Sequence, residues 1–138
     1  MRVLSIDYGD KRIGLAMSDP MRITAQGLPT LLNKGEEPSL KAISELCSQN
    51  QVGVIVIGLP LHMNGDAGER AKIVLNWKQK LEELVDCEIT TWDERLSSRE
   101  VTRLMIQQDI SRKKQKEKCD ELSAIIILQG YLEFNRNT

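Results

Sequence analysis

The sequence has few aromatic residues, one histidine and three cysteines, and each shortage excludes a class of protein. Phe, Trp and Tyr make up 4% of the 138 residues, so the core must depend on aliphatic side chains and methionine. The number of cysteines is odd, and no two of them have C-x-x-C spacing (Cys47, Cys87 and Cys119). This indicates reduced thiols rather than a disulfide framework or a zinc site. His62 has no second histidine to work with, so catalysis or metal binding based on several histidines is excluded.

Long hydrophobic runs and an excess of charge of either sign are also missing. No apolar run approaches the roughly 20 residues of a membrane helix, so we expect no membrane partner. Strand-forming residues begin directly after Met1, which leaves no room for a signal peptide, and we therefore expect a cytoplasmic protein. The net charge of −1 argues against binding polyanions through the overall field. Nucleic acid would have to bind to a local basic patch.

The hydrophobic pattern predicts a single α/β domain over residues 1–138. Two short runs at 2–7 and 12–18, joined by turn residues, predict a hairpin, and a weaker run at 23–28 before Pro29 predicts a third strand. A loop at 33–38 follows. The remaining elements are predicted as a helix from Ser39, a strand at 52–58, a helix at 69–85, a strand at 87–92, a helix after Ser97 and a helix over about 120–134. This order predicts a mixed β-sheet flanked by helices.

Capping signals and spacing give further detail within the helices. Ser39 is a candidate N-cap, and Ser97-x-x-Glu100 has the form of a capping box. The buried stripe of the helix over 69–85 is predicted to consist of Ile73, Trp77, Leu81 and Leu84. An exposed apolar face on the last helix, which would suit a homodimer, is predicted to consist of Ile125, Leu128 and Leu132.

Three acidic residues border elements that otherwise belong to the core. Asp7 ends the first strand, Glu94 follows the strand at 87–92, and Asp120 lies at the start of the last helix. Ligand sites in α/β sheets lie outside the carboxyl ends of the strands. Asp7 and Glu94 could meet there if their strands are parallel neighbours, and Asp120 could join them if the last helix packs across that end. Two like charges about 4 Å apart repel by roughly 4 kcal/mol at an effective dielectric near 20. A divalent cation would relieve that repulsion, and oxygen ligands favour Mg²⁺ or Mn²⁺.

Each of these acids also has a simpler interpretation. Asp7 could be an ordinary turn residue, Asp120 could be an N-cap, and Glu94 could pair with a basic neighbour at the surface. The basic run before Asp120 has two interpretations as well, a solvated loop or a phosphate clamp. It contains Arg112, Lys113, Lys114, Lys116 and Lys118 against the single acid Glu117.

Four segments carry a resemblance to a known family. They read IDYGDKRIGLAMSD (6–19), GLPLHMNG (58–65), WDERLSS (92–98) and CDELSAIIILQGY (119–131). Together, and in this order, they resemble the signature segments of the YqgF/RuvX-type family, which is similar to ribonuclease H-fold nucleases. Its members are described as Holliday-junction resolvases or as nucleases that mature the precursor of the small-subunit ribosomal RNA.

The resemblance implies an RNase H-like fold and phosphodiester hydrolysis with two Mg²⁺ or Mn²⁺ ions when substrate is bound. The acidic triad of the family falls on Asp7, Glu94 and Asp120. The implied partner is nucleic acid, either ribosomal RNA precursor or branched DNA. Its expected contacts are Lys11, Arg70, Arg95, Arg112, Lys113, Lys114 and Lys116.

The sequence departs from the family at two positions. Asp10 stands where a small hydroxyl residue is frequent, and His62 stands where an asparagine is frequent. Asp10 would add a fourth carboxylate near the expected metal site, which leaves the number of bound ions open.

Two other classes of protein compete with the nuclease hypothesis. The DYGDKRIG segment also resembles the first phosphate loop of actin-like ATPases and sugar kinases, but 138 residues do not supply their two lobes and no G-x-x-x-x-G-K-[ST] loop is present. A binding module without catalysis is the second alternative. Within the nuclease hypothesis, RNA and DNA cannot be separated by sequence, because the contacts that distinguish them are to the 2′-hydroxyl and the grooves. The family description favours ribosomal RNA maturation.

Overall fold

The computed structural model describes residues 1–60, 68–94 and 112–136, and for residues 112–121 and 136 it describes the helix backbone alone. In these ranges the chain forms strands and helices in an alternating order after an initial run of three strands. They are β1 (Arg2–Tyr8), β2 (Arg12–Ser18), β3 (Ala25–Leu32), α1 (Glu36–Asn50), β4 (Val52–Leu59), α2 (Glu69–Glu82), β5 (Glu88–Asp93) and α3 (Arg112–Arg136).

The strands form one mixed sheet in the order β3-β2-β1-β4-β5. β1 pairs antiparallel with β2, and β2 antiparallel with β3, as expected for short connections. β1 and β4 are parallel, and so are β4 and β5, with helices making the crossovers. The predicted mixed sheet is therefore confirmed, and the carboxyl ends of β1, β4 and β5 lie at the same edge.

Helices cover both faces of this sheet. Leu4, Ile6, Ile55 and Ile57 point to one face, where they pack in a core with α1 and α2. Val3, Val54 and Val56 point to the other face and pack against α3. Because β1 and β4 are buried on both faces, they consist of nearly continuous apolar runs.

The third strand starts later than predicted because a turn precedes it. The Asp19 carboxylate accepts hydrogen bonds from the backbone N–H groups of Ile23 and Thr24, both at 2.7 Å, and of Met21 at 3.1 Å. These bonds stabilise the ionised carboxylate and lower its pKa, the bond from Thr24 most. Residues 19–24 therefore belong to the turn. Pro29 lies inside β3 rather than after it, which is possible because β3 is an edge strand.

Helices α1 and α2 correct two further predictions. α1 begins at Glu36, with Gly35 at φ 127° as its N-cap, so part of the predicted loop at 33–38 is helical and Ser39 is not the cap. The buried Ser39 hydroxyl instead donates to the Glu36 carbonyl at 2.8 Å and accepts from Trp77 Nε1 at 3.0 Å. In α2 the buried stripe is Ala71, Val74, Trp77 and Leu81, whereas Ile73 and Leu84 are exposed.

Helix α3 is longer than predicted, and it contains the whole basic run. Its backbone is helical from Arg112, so the interpretation of this run as a loop is wrong, and Asp120 is an interior position rather than an N-cap. Leu128 and Leu132 are buried against the sheet, so the predicted apolar dimer face is also wrong. The helix and capping box predicted after Ser97 lie outside the described residues.

The cysteines whose side chains are described carry free thiols, as predicted. Burial in the core, and after it the neighbouring Cys87 thiol, raise the pKa of Cys47 to about 12. Over the described ranges, no helix combines the length and the hydrophobicity that a membrane span requires.

Candidate active site at the carboxyl edge of the sheet

Asp7 lies at the carboxyl end of the central strand, on the face covered by α3. Side chains alternate along β1, and Val3 and Ser5 contact the α3 layer while Leu4 and Ile6 face α1 and α2. Asp7 therefore shares the α3 face with Ser5. It is half-buried, whereas four preceding residues of the strand are fully buried. A carboxylate at this position is close to the core and still accessible at the sheet edge.

The strands that carry Asp7 and precede Glu94 are parallel but not neighbours, because β4 lies between β1 and β5, and Glu94 reaches over β4. A Cβ atom placed on Gly58 would lie 2.6 Å from the Glu94 Oε1 atom and 2.6 Å from the Cδ1 atom of Ile127 in α3. The Glu94 carboxylate thus lies on the α3 face directly above Gly58. Since Ile6 pairs with Ile57, Asp7 is level with Gly58, and adjacent strands are about 4.8 Å apart. The register therefore places the Asp7 position next to Gly58, on the face where the Glu94 carboxylate lies.

The Asp120 position in α3 is near this edge through a contact one turn further along the helix. The buried Ser5 hydroxyl donates a hydrogen bond of 2.6 Å to the carbonyl of Ala124, four residues after Asp120. The C-terminal half of α3 lies at the other edge, where Gln129 and Leu132 line a cleft with residues 23–25. The helix backbone at 120 therefore lies on the carboxyl-edge side of the Ser5 contact. The Asp120 side chain is outside the described atoms.

We expect Ser5→Ala to loosen the docking of α3 and lower the free energy of unfolding by about 1 kcal/mol, the usual worth of one buried hydrogen bond. Urea denaturation measures this loss, and cleavage should fall with it if α3 carries a functional residue. Ser48→Ala, at an exposed position of α1, is the matched control and should leave stability nearly unchanged. A Ser5→Ala protein as stable as the wild type would contradict the role given to this bond.

The donor atoms at this edge suit a hard divalent cation. Carboxylate oxygens are the ligands that Mg²⁺ and Mn²⁺ prefer, and Asp7 and Glu94 supply them from the ends of β1 and β5, on either side of β4. Among the side chains that the structure describes, no group of three or more His, Cys, Asp or Glu residues is close enough to hold a metal. Asp7 and Glu94 are thus two candidate ligands, and a third would have to come from a residue whose side chain is not described.

Asp93 does not join this pair. Trp92 packs on the α3 side of the sheet and Ile89 on the other side, so the alternation along β5 directs Asp93 to the face of α1 and α2. Asp10 also points elsewhere, because its Oδ2 atom lies 3.2 Å from the Nη1 atom of Arg70. Asp10 is thus engaged in an ion pair at the rim of the site.

Two of the predicted nucleic-acid contacts lie at the same edge. Lys11 is exposed in the turn between β1 and β2, and Arg70 lies in the first turn of α2, next to the end of β1. Arg112, Lys113, Lys114 and Lys116 are on the first two turns of α3, as backbone positions alone. Arg95 and His62 lie outside the described residues.

Sequence reasoning missed three features of the site. Gly58 was interpreted as a strand end, although a glycine in a run of β-branched residues often marks a close approach. Ser5 was passed over, although a hydroxyl in an otherwise apolar strand needs a buried partner. The ion pair of Asp10 with Arg70 joins residues far apart in the chain, and no local signal announces it.

Relatives of this chain share almost its full length. A protein of Clostridium acetobutylicum is 45% identical over 132 residues, covering 96% of this chain and 98% of its own, and is named "Putative pre-16S rRNA nuclease". A protein of Syntrophomonas wolfei with the same name is 45% identical over 133 residues, covering 96% of this chain and 94% of its own.

Two solved resolvases have the same fold at low sequence identity. RuvC of T. thermophilus in complex with a Holliday junction substrate superposes with a TM-score of 0.59 and 13% identity, covering 98% of this chain and 96% of that one. The fowlpox virus Holliday junction resolvase gives a TM-score of 0.56 and 15% identity, covering 96% and 99%. The expected RNase H-like fold is thereby confirmed. Residues 1–134 match the family model described as "RuvX: Holliday junction resolvase", and the chain belongs to this family.

Proposed function

We propose that this protein is a metal-dependent endonuclease that hydrolyses phosphodiester bonds in structured nucleic acid, with the 5′ end of the 16S ribosomal RNA precursor as its substrate. The observation that carries the proposal is the Glu94 carboxylate above Gly58, beside Asp7, at the carboxyl edge of the sheet. The substrate comes from the name shared by the Clostridium and Syntrophomonas relatives. Residues 1–138 form a single nuclease domain that acts in the cytoplasm, where ribosomal RNA is processed.

The three acids have different roles in this proposal. Asp7, on the innermost strand, is the shared ligand, and Glu94 and Asp120 each hold one side of the site. When bound with substrate, two Mg²⁺ or Mn²⁺ ions supply a water of lowered pKa and stabilise the leaving oxygen. The rigid elements of the chain keep the carboxylates in place, because β1 is buried on both sides and Ser5 ties it to α3.

Basic residues on both sides of the acids hold the phosphate backbone. Arg70 and Lys11 contact it at the rim formed by the β1–β2 turn and α2. Arg112, Lys113, Lys114 and Lys116 contact it from the start of α3, and Arg95 from the segment after Glu94. Eight residues of helix separate Arg112 from Asp120, which corresponds to about 12 Å, or two phosphate spacings along a strand. A strand lying along α3 would therefore pass from the basic run to the acids.

Cleavage of branched DNA is the second candidate function, and the description of the family model favours it. A four-way junction has two equivalent strands to cut, so this function requires a homodimer. Leu128 and Leu132 cannot supply the contact between copies, since the chain itself buries them. A dimer would have to use another surface.

The proposal is tested by cleavage of matched substrates. We expect the purified protein with Mg²⁺ or Mn²⁺ to cut a ribosomal RNA precursor fragment at its 5′ leader, and to cut a four-way DNA junction at least tenfold more slowly. Samples with EDTA instead of metal should show no cleavage. Faster cleavage of the junction would favour the second candidate. Binding of both substrates without cleavage of either, at any metal concentration, would identify a binding module and overturn the proposal.

A further inference from the structure

The ion pair between Asp10 and Arg70 places a negative charge where the proposed function needs a positive one. Asp10 lies in the turn Gly9–Arg12, next to Lys11 and Arg12, and both of these basic side chains are exposed. Arg70 is the second residue of α2, on the other side of the same edge. Among the residues of this turn, Asp10 is the one acid beside Lys11 and Arg12. The Asp10 carboxylate forms an ion pair with Arg70, the residue of this rim best suited to bind a phosphate.

The contacts of Arg70 occupy the edge of the guanidinium that a phosphate would use. Its Nη1 atom donates to Asp10 Oδ2 at 3.2 Å, and its Nη2 atom donates to the Tyr8 carbonyl at 3.5 Å. A guanidinium binds phosphate most strongly through two parallel N–H groups. Pairing through Nη1 and Nη2 therefore requires that Asp10 be displaced, whereas Tyr8 keeps the side chain at the end of β1.

The pair is exposed enough to be exchanged. The side chains of Arg70 and Asp10 are 51% and 71% exposed, so water surrounds the pair and neither partner is locked in place. Exposed ion pairs of this kind have small coupling energies. A phosphate, which accepts hydrogen bonds through several oxygens, can replace the carboxylate.

We propose that Asp10 competes with nucleic-acid phosphate for the guanidinium of Arg70 and thereby weakens the binding of strands that do not deliver a phosphate to that position. The inference rests on the proposed function, because it concerns the nucleic acid that the site would hold. In this inference Asp10 belongs to the rim and is not the fourth carboxylate of the expected metal site. A phosphate that reaches this position binds the Arg70 guanidinium in place of Asp10. Phosphates at other positions near the rim are repelled by the Asp10 carboxylate.

The test compares Asp10→Asn with the wild type in binding to a fluorescein-labelled ribosomal RNA precursor fragment, followed by anisotropy in EDTA over about 50–200 mM KCl. We expect Asp10→Asn to bind roughly two- to fivefold more tightly at the lowest salt, in line with the small coupling of exposed ion pairs. The dependence of log affinity on log salt should become steeper by about 0.7–0.9. In the variant, Arg70 displaces a counterion from the phosphate without having to leave the Asp10 carboxylate. A change in folding alone would not alter this slope.

Two further variants isolate the competition. Glu82→Gln removes one negative charge from the exposed Lys78–Glu82 pair at the other end of α2, and its affinity should equal that of the wild type. In an Arg70→Gln background, Asp10→Asn should no longer give the gain in affinity or the change in slope.

Other results would overturn the inference. An equal gain in the Arg70→Gln background would mean that Asp10 acts through its field alone. Unchanged binding by Asp10→Asn would show that Asp10 does not compete for Arg70. Weaker binding, or a higher Mn²⁺ requirement for its cleavage, would place Asp10 in the binding or acidic site. If the wild type itself does not bind the RNA, the proposed function fails with the inference, whereas binding that is insensitive to Asp10 defeats the inference alone.

Discussion

Asp7→Asn is expected to reduce metal-dependent cleavage by roughly 10³-fold, while the protein stays folded. Metal ions at such sites contribute several kcal/mol of transition-state stabilisation, and each 1.36 kcal/mol is tenfold in rate. Asparagine has nearly the same volume as aspartate but offers a neutral oxygen in place of a charged ligand. Because Asp7 is half-buried at the end of a strand, the exchange leaves the core untouched. Cleavage rates under single-turnover conditions measure the loss.

Metal binding separates this role from a structural one. In the wild type, Mn²⁺ at 100 times its dissociation constant should stabilise the folded state by about 2.7 kcal/mol, and Asp7→Asn should lose most of that increment. In EDTA the free energy of unfolding of the variant should lie within about 1 kcal/mol of the wild type, the usual worth of one hydrogen bond. Asp86→Asn, exposed at the opposite edge of the sheet just before β5, is the matched control and should behave as the wild type. Undiminished cleavage by Asp7→Asn would rule out the proposed ligand.

The strands that position Asp7 could be predicted because their sequence pattern is unambiguous. β1 and β4 are runs of aliphatic, largely β-branched residues, bounded by Gly9 in one case and Pro60 in the other. Once two such strands are parallel, their carboxyl ends must share an edge, so an acid that ends one strand faces the end of the next. That rule places Asp7 and Glu94 at one edge, whereas the reach of Glu94 over β4 depends on the missing side chain of Gly58.

The start of α3 could not be predicted in the same way. Residues 112–118 consist of arginine, lysine, glutamine and glutamate and include no apolar residue. Such a segment has no hydrophobic period to detect. These residue types are nevertheless good helix formers, and the buried stripe that follows from Ala124 extends the same helix. Composition alone therefore favoured a loop where the backbone is helical.

The wrong stripe in α2 has a different cause. Ile73 and Val74 are adjacent apolar residues, and both lie at helical spacing from Trp77. Which one faces the core depends on how Trp77 is oriented, and its Nε1 atom is fixed by the Ser39 hydroxyl of α1. A contact between two helices decided the outcome, and no window of sequence contains it.

Gly58→Ala is expected to reduce cleavage at least 10²-fold and the free energy of unfolding by about 1–3 kcal/mol, the usual cost of overpacking a core. The added methyl group would lie 2.6 Å from both Glu94 Oε1 and Ile127 Cδ1, closer than real Cβ contacts allow. The Glu94 carboxylate is the end of a flexible side chain and can turn away, which removes it from Asp7. Ile127 is buried and cannot, so α3 or its side chain is strained. Urea denaturation and single-turnover cleavage measure the two effects separately.

A second substitution separates the two clashes. Ile127→Val deletes the Cδ1 atom, so Gly58→Ala/Ile127→Val should recover stability relative to Gly58→Ala, while cleavage remains low because Glu94 is still displaced. Gly53→Ala, on the same strand, is the matched control, since its Cβ would meet only the side-chain ends of Met1 and Arg22 and the Met1 Cβ. It should cleave as the wild type does. Recovery of both stability and cleavage in the double variant would trace the defect to the position of α3, and the place of Glu94 above β4 would then not be what the reaction requires.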